Sequence, residues 1–229
     1  MKDIFLIDAD DTILDFHGSS VVALKDAFDE CGLIWQEPYA EIFRTVNDSL
    51  WQALERKELT REELIKKRFP LYLSTLGLKA DGEKFNERYL HSLATKPIYV
   101  EGAERLLETL RALGKIYVVT NGTERIQRSR FAIAKLNERV DGVFVSQVVG
   151  YDKPAKEYTQ YVVNHIENFA TERAIWVGDS LTSDIRSANE AGITSVWFNP
   201  KGKTQTGEAM PDYTVRSLDE VVDLLQNFQ

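Results

Sequence analysis

Residues 4–12 read Ile4-Phe5-Leu6-Ile7-Asp8-Ala9-Asp10-Asp11-Thr12. Four apolar residues bounded by charge on both sides predict a short strand buried on both faces, as in the middle of a parallel sheet. Three acids then follow within four positions. Carboxylates crowded at a strand end repel one another unless something positive binds among them. A hard divalent ion with oxygen ligands, Mg²⁺ first among them, relieves that repulsion. The plainer alternative is a solvated acidic turn. If the strand geometry persists, alternation points Asp8 and Asp10 to the same side.

Outward from this stretch, similar apolar runs recur at Ile116–Val119, Val143–Val145, Ala174–Val177 and Ser195–Phe198. Amphipathic stretches of helical length lie between most of them: Glu101–Leu113, Tyr158–Ile166 and Leu181–Ala191, with a closing helix at Leu218–Phe228. Strands alternating with helices predict an α/β fold, a doubly wound parallel sheet. From about Asp15 to Pro97 no strand run appears. Four helices are expected there, at Ser19–Glu30, Glu37–Arg56, Thr60–Leu76 and Asp81–Ala94, with a possible capping box at Thr60 and Glu63. Gly32, Pro38, Gly77 and Pro97 mark the breaks. The expected domains are therefore a core of residues 1–14 and 98–229 and a helical insert of residues 15–97.

The chain has 229 residues, 43% hydrophobic and 28% charged, with a formal net charge of −8. That composition suits a folded domain rather than a disordered one. An acidic surface argues against nucleic-acid polymers and anionic membranes as partners. A small anionic substrate needs a metal ion or a local lysine to offset the repulsion. One cysteine, Cys31, excludes an intrachain disulfide and reads as a small packed hydrophobe. No signal-peptide pattern and no span of membrane length is visible, so a soluble, cytoplasmic protein is expected.

Three further motifs sit just after predicted strands, where open parallel sheets bind ligands. Thr120-Asn121-Gly122 offers a hydroxyl, an amide and a flexible glycine to a phosphate oxygen, and is also a good plain turn. Lys153-Pro154 places a compact charge suited to phosphate, with the proline expected at a helix start. Gly178-Asp179-Ser180 brings a carboxylate to a strand end, and Asp184 follows five residues later. One of these two acids can bind a metal directly and the other through a water; the alternative for Asp179 is a helix N-cap.

These four motifs, in this order, resemble those of the haloacid dehalogenase superfamily, and they span the whole predicted core. The helical insert resembles that family's helical cap of the first type. The resemblance implies that Asp8 is a nucleophile forming an aspartyl-phosphate. It implies that Asp10 is the general acid and then the base. Asp8, the main-chain carbonyl of Asp10, and Asp179 would hold Mg²⁺, with Asp184 supporting them. Thr120, Asn121 and Lys153 would bind the phosphoryl group. An Asp two places after the nucleophile resembles the phosphatase and phosphomutase branches. The Ser187-Ala188 pair departs from the Gly-Ala of many members, with no loss of chemistry expected.

Softer matches resemble the pyrimidine 5′-nucleotidases that hydrolyse nucleoside monophosphates, including non-canonical ones. They lie at Asn47-Asp48-Ser49-Leu50-Trp51, Leu59–Leu64, Arg68-Phe69 and Trp197-Phe198-Asn199-Pro200. The expected partner is then a small phosphorylated metabolite, handled by a monomer or homodimer. Within the cap, Trp51 can stack on a base, Asn47 can bond a base edge, Arg68 can reach a sugar or phosphate, and His17 sits at the expected hinge. For Trp51 the competing reading is core packing; for Arg68 and His17 it is an exposed side chain. His91 and His165 look incidental. A sugar-phosphate phosphatase or phosphomutase is the alternative within the family. A phospho-accepting receiver module is remote, since it has no use for Asp10 and no cap.

Overall fold

The computed structural model describes residues 1–226 and residue 228. By its internal packing the chain divides into two compact units, Met1–Asp15 with Ile98–Gln229, and Phe16–Pro97.

The first unit is built on six parallel strands: β1 (Ile4–Ile7), β2 (Lys115–Thr120), β3 (Gly142–Val145), β4 (Ala174–Gly178), β5 (Thr194–Phe198) and β6 (Tyr213–Val215), in the order β3-β2-β1-β4-β5-β6. Thus β1 lies between β2 and β4, with Ile4 opposite both Lys115 and Ala174 and Ile7 opposite both Val118 and Val177. Alternation along β1 feeds two hydrophobic layers. Phe5 and Ile7 pack with Leu106, Leu110, Val221 and Leu225, and Ile4 and Leu6 pack with Tyr158, Val162 and Ala188. All four β1 side chains are buried, so the uninterrupted apolar run is what this position demands.

The helices of this unit, numbered in chain order after the four of the second, are α5 (Ala103–Leu113), α6 (Glu124–Ile133), α7 (Ser146–Val149), α8 (Lys156–Asn164), α9 (Arg186–Ala191) and α10 (Leu218–Gln226). Of the closing helix expected to reach Phe228, position 227 lies outside the described residues. Pro154 does not start a helix: α8 begins two residues later, after Ala155. β6 and α6 have no counterpart among the sequence expectations. Strand formation stops at Ile7, and Asp11 takes a left-handed φ of 59°. Ile13 N–H and Leu14 N–H then close back on Ala9 O.

The second unit consists of α1 (Phe16–Glu30), α2 (Pro38–Glu55), α3 (Arg61–Thr75) and α4 (Gly82–Thr95). Its interior is aromatic: Phe28, Phe43, Phe69, Tyr72, Phe85 and Tyr89 are buried and pack ring against ring. The capping box forms, with Thr60 Oγ1 accepting from Glu63 N–H at 3.2 Å and Glu63 accepting from Thr60 N–H at 2.8 Å. Among the described residues no helix is long and apolar enough to cross a membrane.

Candidate active site

β1, β2 and β4 are neighbours, so the residues after their carboxyl ends meet where the strand order turns about β1. Asp8 follows β1, and its N–H donates to Val177 O at 2.9 Å, carrying the ladder one residue further. Its carboxylate is buried. Lys153, only 1% exposed, donates to Asp8 Oδ1 at 2.7 Å, to Asp184 Oδ1 at 2.6 Å and to Val119 O at 2.8 Å. Three acceptors satisfy the three N–H bonds of the ammonium.

Asp184 lies in one turn of π-helix, Leu181–Ile185, capped by Ser180 Oγ accepting from Ser183 N–H. The cap is therefore Ser180, which removes the N-cap alternative for Asp179. Asp184 Oδ2 accepts from Ser180 N–H at 3.2 Å, so both its oxygens are engaged. A Cβ on Gly178 would fall on the Asp184 carboxylate, which explains the glycine at the end of β4. Trp197 Nε1 donates to Asp179 O at 2.9 Å and fixes that loop from β5.

Asp8, Asp179 and Asp184 present carboxylate oxygens all within 4.8 Å of one another. Once all three carboxylates are ionised, one ammonium leaves two negative charges uncompensated, the charge that one divalent cation carries. Burial pushes the Asp8 carboxyl up to about 8; Lys153 pulls it down, while Asp184 and Asp10 add to the rise. Burial also raises Asp179, helped by Asp11, Asp8 and Asp184. Lys153 is lowered by burial and raised more by Asp184 and Asp8, so it stays charged. All-oxygen donors and surplus negative charge fit a hard cation such as Mg²⁺. Asp8 Oδ2 and the Asp179 carboxylate, which make no hydrogen bond among the described residues, are the groups that would hold it.

Asp10 does not join this cluster through its side chain. Because the strand ends at Ile7, its carboxylate takes different partners from Asp8. Oδ1 is paired with Arg130 Nη1, and Oδ2 accepts from Gln127 Nε2 at 2.8 Å. Gln127 also donates to Thr120 Oγ1 at 3.0 Å, and Gly122 N–H donates to the same oxygen at 3.0 Å. A Cβ on Gly122 would come within 2.5–2.7 Å of the Gln127 side chain, so this glycine gives the glutamine its passage. Thr120 Oγ1 has thus accepted two hydrogen bonds, so its own proton is left to donate. Asn121, expected at the phosphate, has its side chain tied to the lysine loop. Its amide brackets the main chain of Lys153, donating to Lys153 O at 2.9 Å and accepting from Lys153 N–H at 2.8 Å. It orients the lysine loop.

Gln127 and Arg130 escaped the sequence reading. The signal was available: they share one face of α6 with the buried Ile126 and Phe131, polar residues on an inward stripe.

In the helical unit, Asn47 and Arg68 are interior residues, 3% and 4% exposed. Arg68 donates to Asn47 Oδ1 and Asn86 Oδ1, both at 3.3 Å, and its Cζ lies 5.0–5.9 Å from the Phe43, Phe69 and Tyr89 rings. The surface-charge alternative for Arg68 is thereby corrected: its helical spacing puts it with Phe69 and Tyr72 on the inward face of α3. Trp51 is half-buried with the Arg61 guanidinium 5.4 Å from its ring centre. His17 is half-buried in the first turn of α1, beside Phe16. Cys31 is partly exposed, and burial raises its thiol, the opposite of activation.

The sequence profile of the haloacid dehalogenase-like hydrolases matches residues 2–192, most of the chain. The chain belongs to this family. Among its relatives, YfnB of Bacillus subtilis, named as a HAD-hydrolase, is 34% identical over 220 residues, 96% of this chain and 94% of that protein. A protein named pyrimidine 5′-nucleotidase PynA, from Streptococcus pneumoniae, is 34% identical over 96% of this chain and 93% of its own. Another, the pyrimidine 5′-nucleotidase YjjG of Escherichia coli, is 29% identical over 97% of each. The crystal structure of YfnB bound to magnesium superposes with a TM-score of 0.92 over 98% of both chains. Within such a hydrolase, the rim described above offers a buried carboxylate beside a buried ammonium, two further carboxylates, and a hydroxyl constrained to donate.

Proposed function

We propose that this chain is a Mg²⁺-dependent phosphomonoesterase acting on pyrimidine nucleoside 5′-monophosphates through an aspartyl-phosphate on Asp8. The observation that carries this reading is the placing of Asp8 at the end of the central strand. Its one oxygen is held by Lys153 at 2.7 Å, and a second carboxylate, Asp10, stands two residues on with separate partners.

A carboxylate and a phosphate monoester are both anions, so attack requires charge to be offset at the point of contact. Lys153 supplies one positive charge; Asp8 and Asp179 would hold Mg²⁺, whose charge would offset the rest. Asp8 bonds to phosphorus through the carboxylate oxygen that does not face the cation as the ester P–O bond breaks, and the leaving oxygen takes its proton from the Asp10 carboxyl. Asp10, now ionised, accepts a proton from the water that attacks phosphorus and frees Asp8. Thr120 donates to a phosphoryl oxygen throughout. This order uses one carboxyl first as acid and then as base.

The pyrimidine substrate class is supported by the two nucleotidase relatives, which match this chain over nearly its full length. For the base, Trp51 and His17 are the partly exposed candidates in the helical unit, and Asn47 with Arg68 the interior ones. Phosphate release should be measured from UMP, dUMP and dTMP beside a panel of sugar phosphates, with and without EDTA. Turnover of the nucleotides that stops with EDTA and returns with Mg²⁺ is expected. Turnover confined to sugar phosphates would overturn the substrate class and leave the chemistry standing.

A further inference from the structure

Arg130 is 1% exposed, and Asp10 is its one carboxylate partner among the described residues. Its Nε and Nη2 have no partner there. A guanidinium buried at that cost does not serve stability well, since an apolar side chain of similar size packs at least as favourably. Its remaining contact is informative. Arg130 Nη1 donates to Gln127 Oε1 at 2.9 Å, which fixes which way the amide faces. Gln127 Nε2 must then face Asp10 Oδ2 at 2.8 Å and Thr120 Oγ1 at 3.0 Å. Gln127 is itself 1% exposed, so the amide has no water to turn towards. One rigid unit, two residues on a single helix face, touches both the carboxyl of Asp10 and the hydroxyl left to grip phosphate.

We propose that Gln127 and Arg130 are positioning residues for the reaction, holding the Asp10 carboxyl in one orientation and tying it to Thr120. The proposal rests on the reading of Asp10 as proton donor to the leaving group. An acid free to rotate spends little time within reach of the leaving oxygen, and reach comes before acidity in proton transfer. Arg130 and Gln127 touch both Asp10 oxygens yet leave a lone pair on each, so the grip does not block the proton's place.

The test compares two substrates in the phosphoenzyme-forming step by rapid quench. UMP has a leaving oxygen that needs a proton; p-nitrophenyl phosphate has one that departs without it. Arg130→Met should slow nucleoside release from UMP by about 10–100-fold, part of the loss that removing an acid brings. The p-nitrophenolate burst should stay near that of the parent, and Arg130→Lys should recover part of the UMP rate. In an Asp10→Asn background, Arg130→Met should cost nothing further, because there is no acid left to orient. Equal losses on both substrates, or a full additional loss in that background, would overturn the proposal and make Arg130 structural. If Arg130→Met does not fold, Gln127→Leu keeps the ion pair; it should slow both substrates through the freed Thr120 hydroxyl and UMP further through Asp10, and equal losses on the two overturn the proposal equally. The underlying reading fails differently: Asp10→Asn alone would then leave the UMP rate unchanged.

Discussion

Lys153 Nζ lies 2.7 Å from Asp8 Oδ1, joining a loop to a strand end 145 positions away in sequence. The same ammonium reaches Asp184 at 2.6 Å, so one buried cation serves two buried carboxylates. Such a triad is a poor way to gain stability, since desolvation consumes most of the Coulomb attraction. It is a good way to keep a carboxylate oriented and partly neutralised at the rim of a sheet.

Removing the lysine exposes that cost. Lys153→Met should destabilise the protein by about 3–5 kcal/mol, the range for breaking a buried pair and stranding its partners. Urea denaturation in EDTA measures it. Unchanged stability would show that Asp8 and Asp184 shed their charge freely and that the lysine does not balance them.

Asp8→Asn should separate stability from activity. Burial favours the neutral form of Asp8 even with Lys153 beside it. A neutral amide of the same shape should therefore raise the melting temperature in EDTA, while turnover falls to background. A lower melting temperature would mean that the lysine pairing outweighs desolvation; residual turnover at the parent rate would remove Asp8 as nucleophile.

Stability should also vary with pH in a defined direction. A carboxyl whose folded pKa exceeds its unfolded value holds more protons when folded, so rising pH favours the unfolded chain. The metal-free protein should lose stability between the ordinary carboxylate range and about pH 8, as Asp8 resists ionising. Mg²⁺ competes with those protons, so its affinity should rise with pH over the same window and its binding should release protons. Calorimetry in two buffers of different ionisation enthalpy counts the protons. Affinity independent of pH would contradict the shared site.

Gly178→Ala should be disproportionately harmful. The added methyl group would meet the Asp184 carboxylate, which is held by both Lys153 and Ser180 N–H and has nowhere to retreat. Loss of stabilisation by Mg²⁺ in a thermal shift assay is expected. A normal Mg²⁺ response would show that Asp184 is dispensable for the metal site.

The core motifs were legible because their signals are local: an apolar run, then acids, at β1 and again at β4. Lys153 could be placed after a strand, but its partners Asp8 and Asp184 meet only through the sheet order. β6 has three residues and no apolar run, so periodicity had nothing to register. Asp8 and Asp10 were expected to share a side if the strand geometry persisted; the strand ends at Ile7, and the two carboxylates take different partners. Gln127 and Arg130 look like ordinary polar residues of a polar helix until their face is known to be buried. Asn121 carries both a donor and an acceptor, and only the fold shows that it spends them on Lys153.

The most direct measurement is chemical trapping of the intermediate. Enzyme turning over UMP with Mg²⁺ should be quenched in acid, reduced with borohydride and digested for peptide mass spectrometry. A covalent phosphate on Asp8 predicts homoserine at position 8, absent without substrate and absent in Asp8→Asn. Unmodified Asp8 in an enzyme releasing phosphate at full rate, or reduction at a different carboxylate, would contradict the assignment.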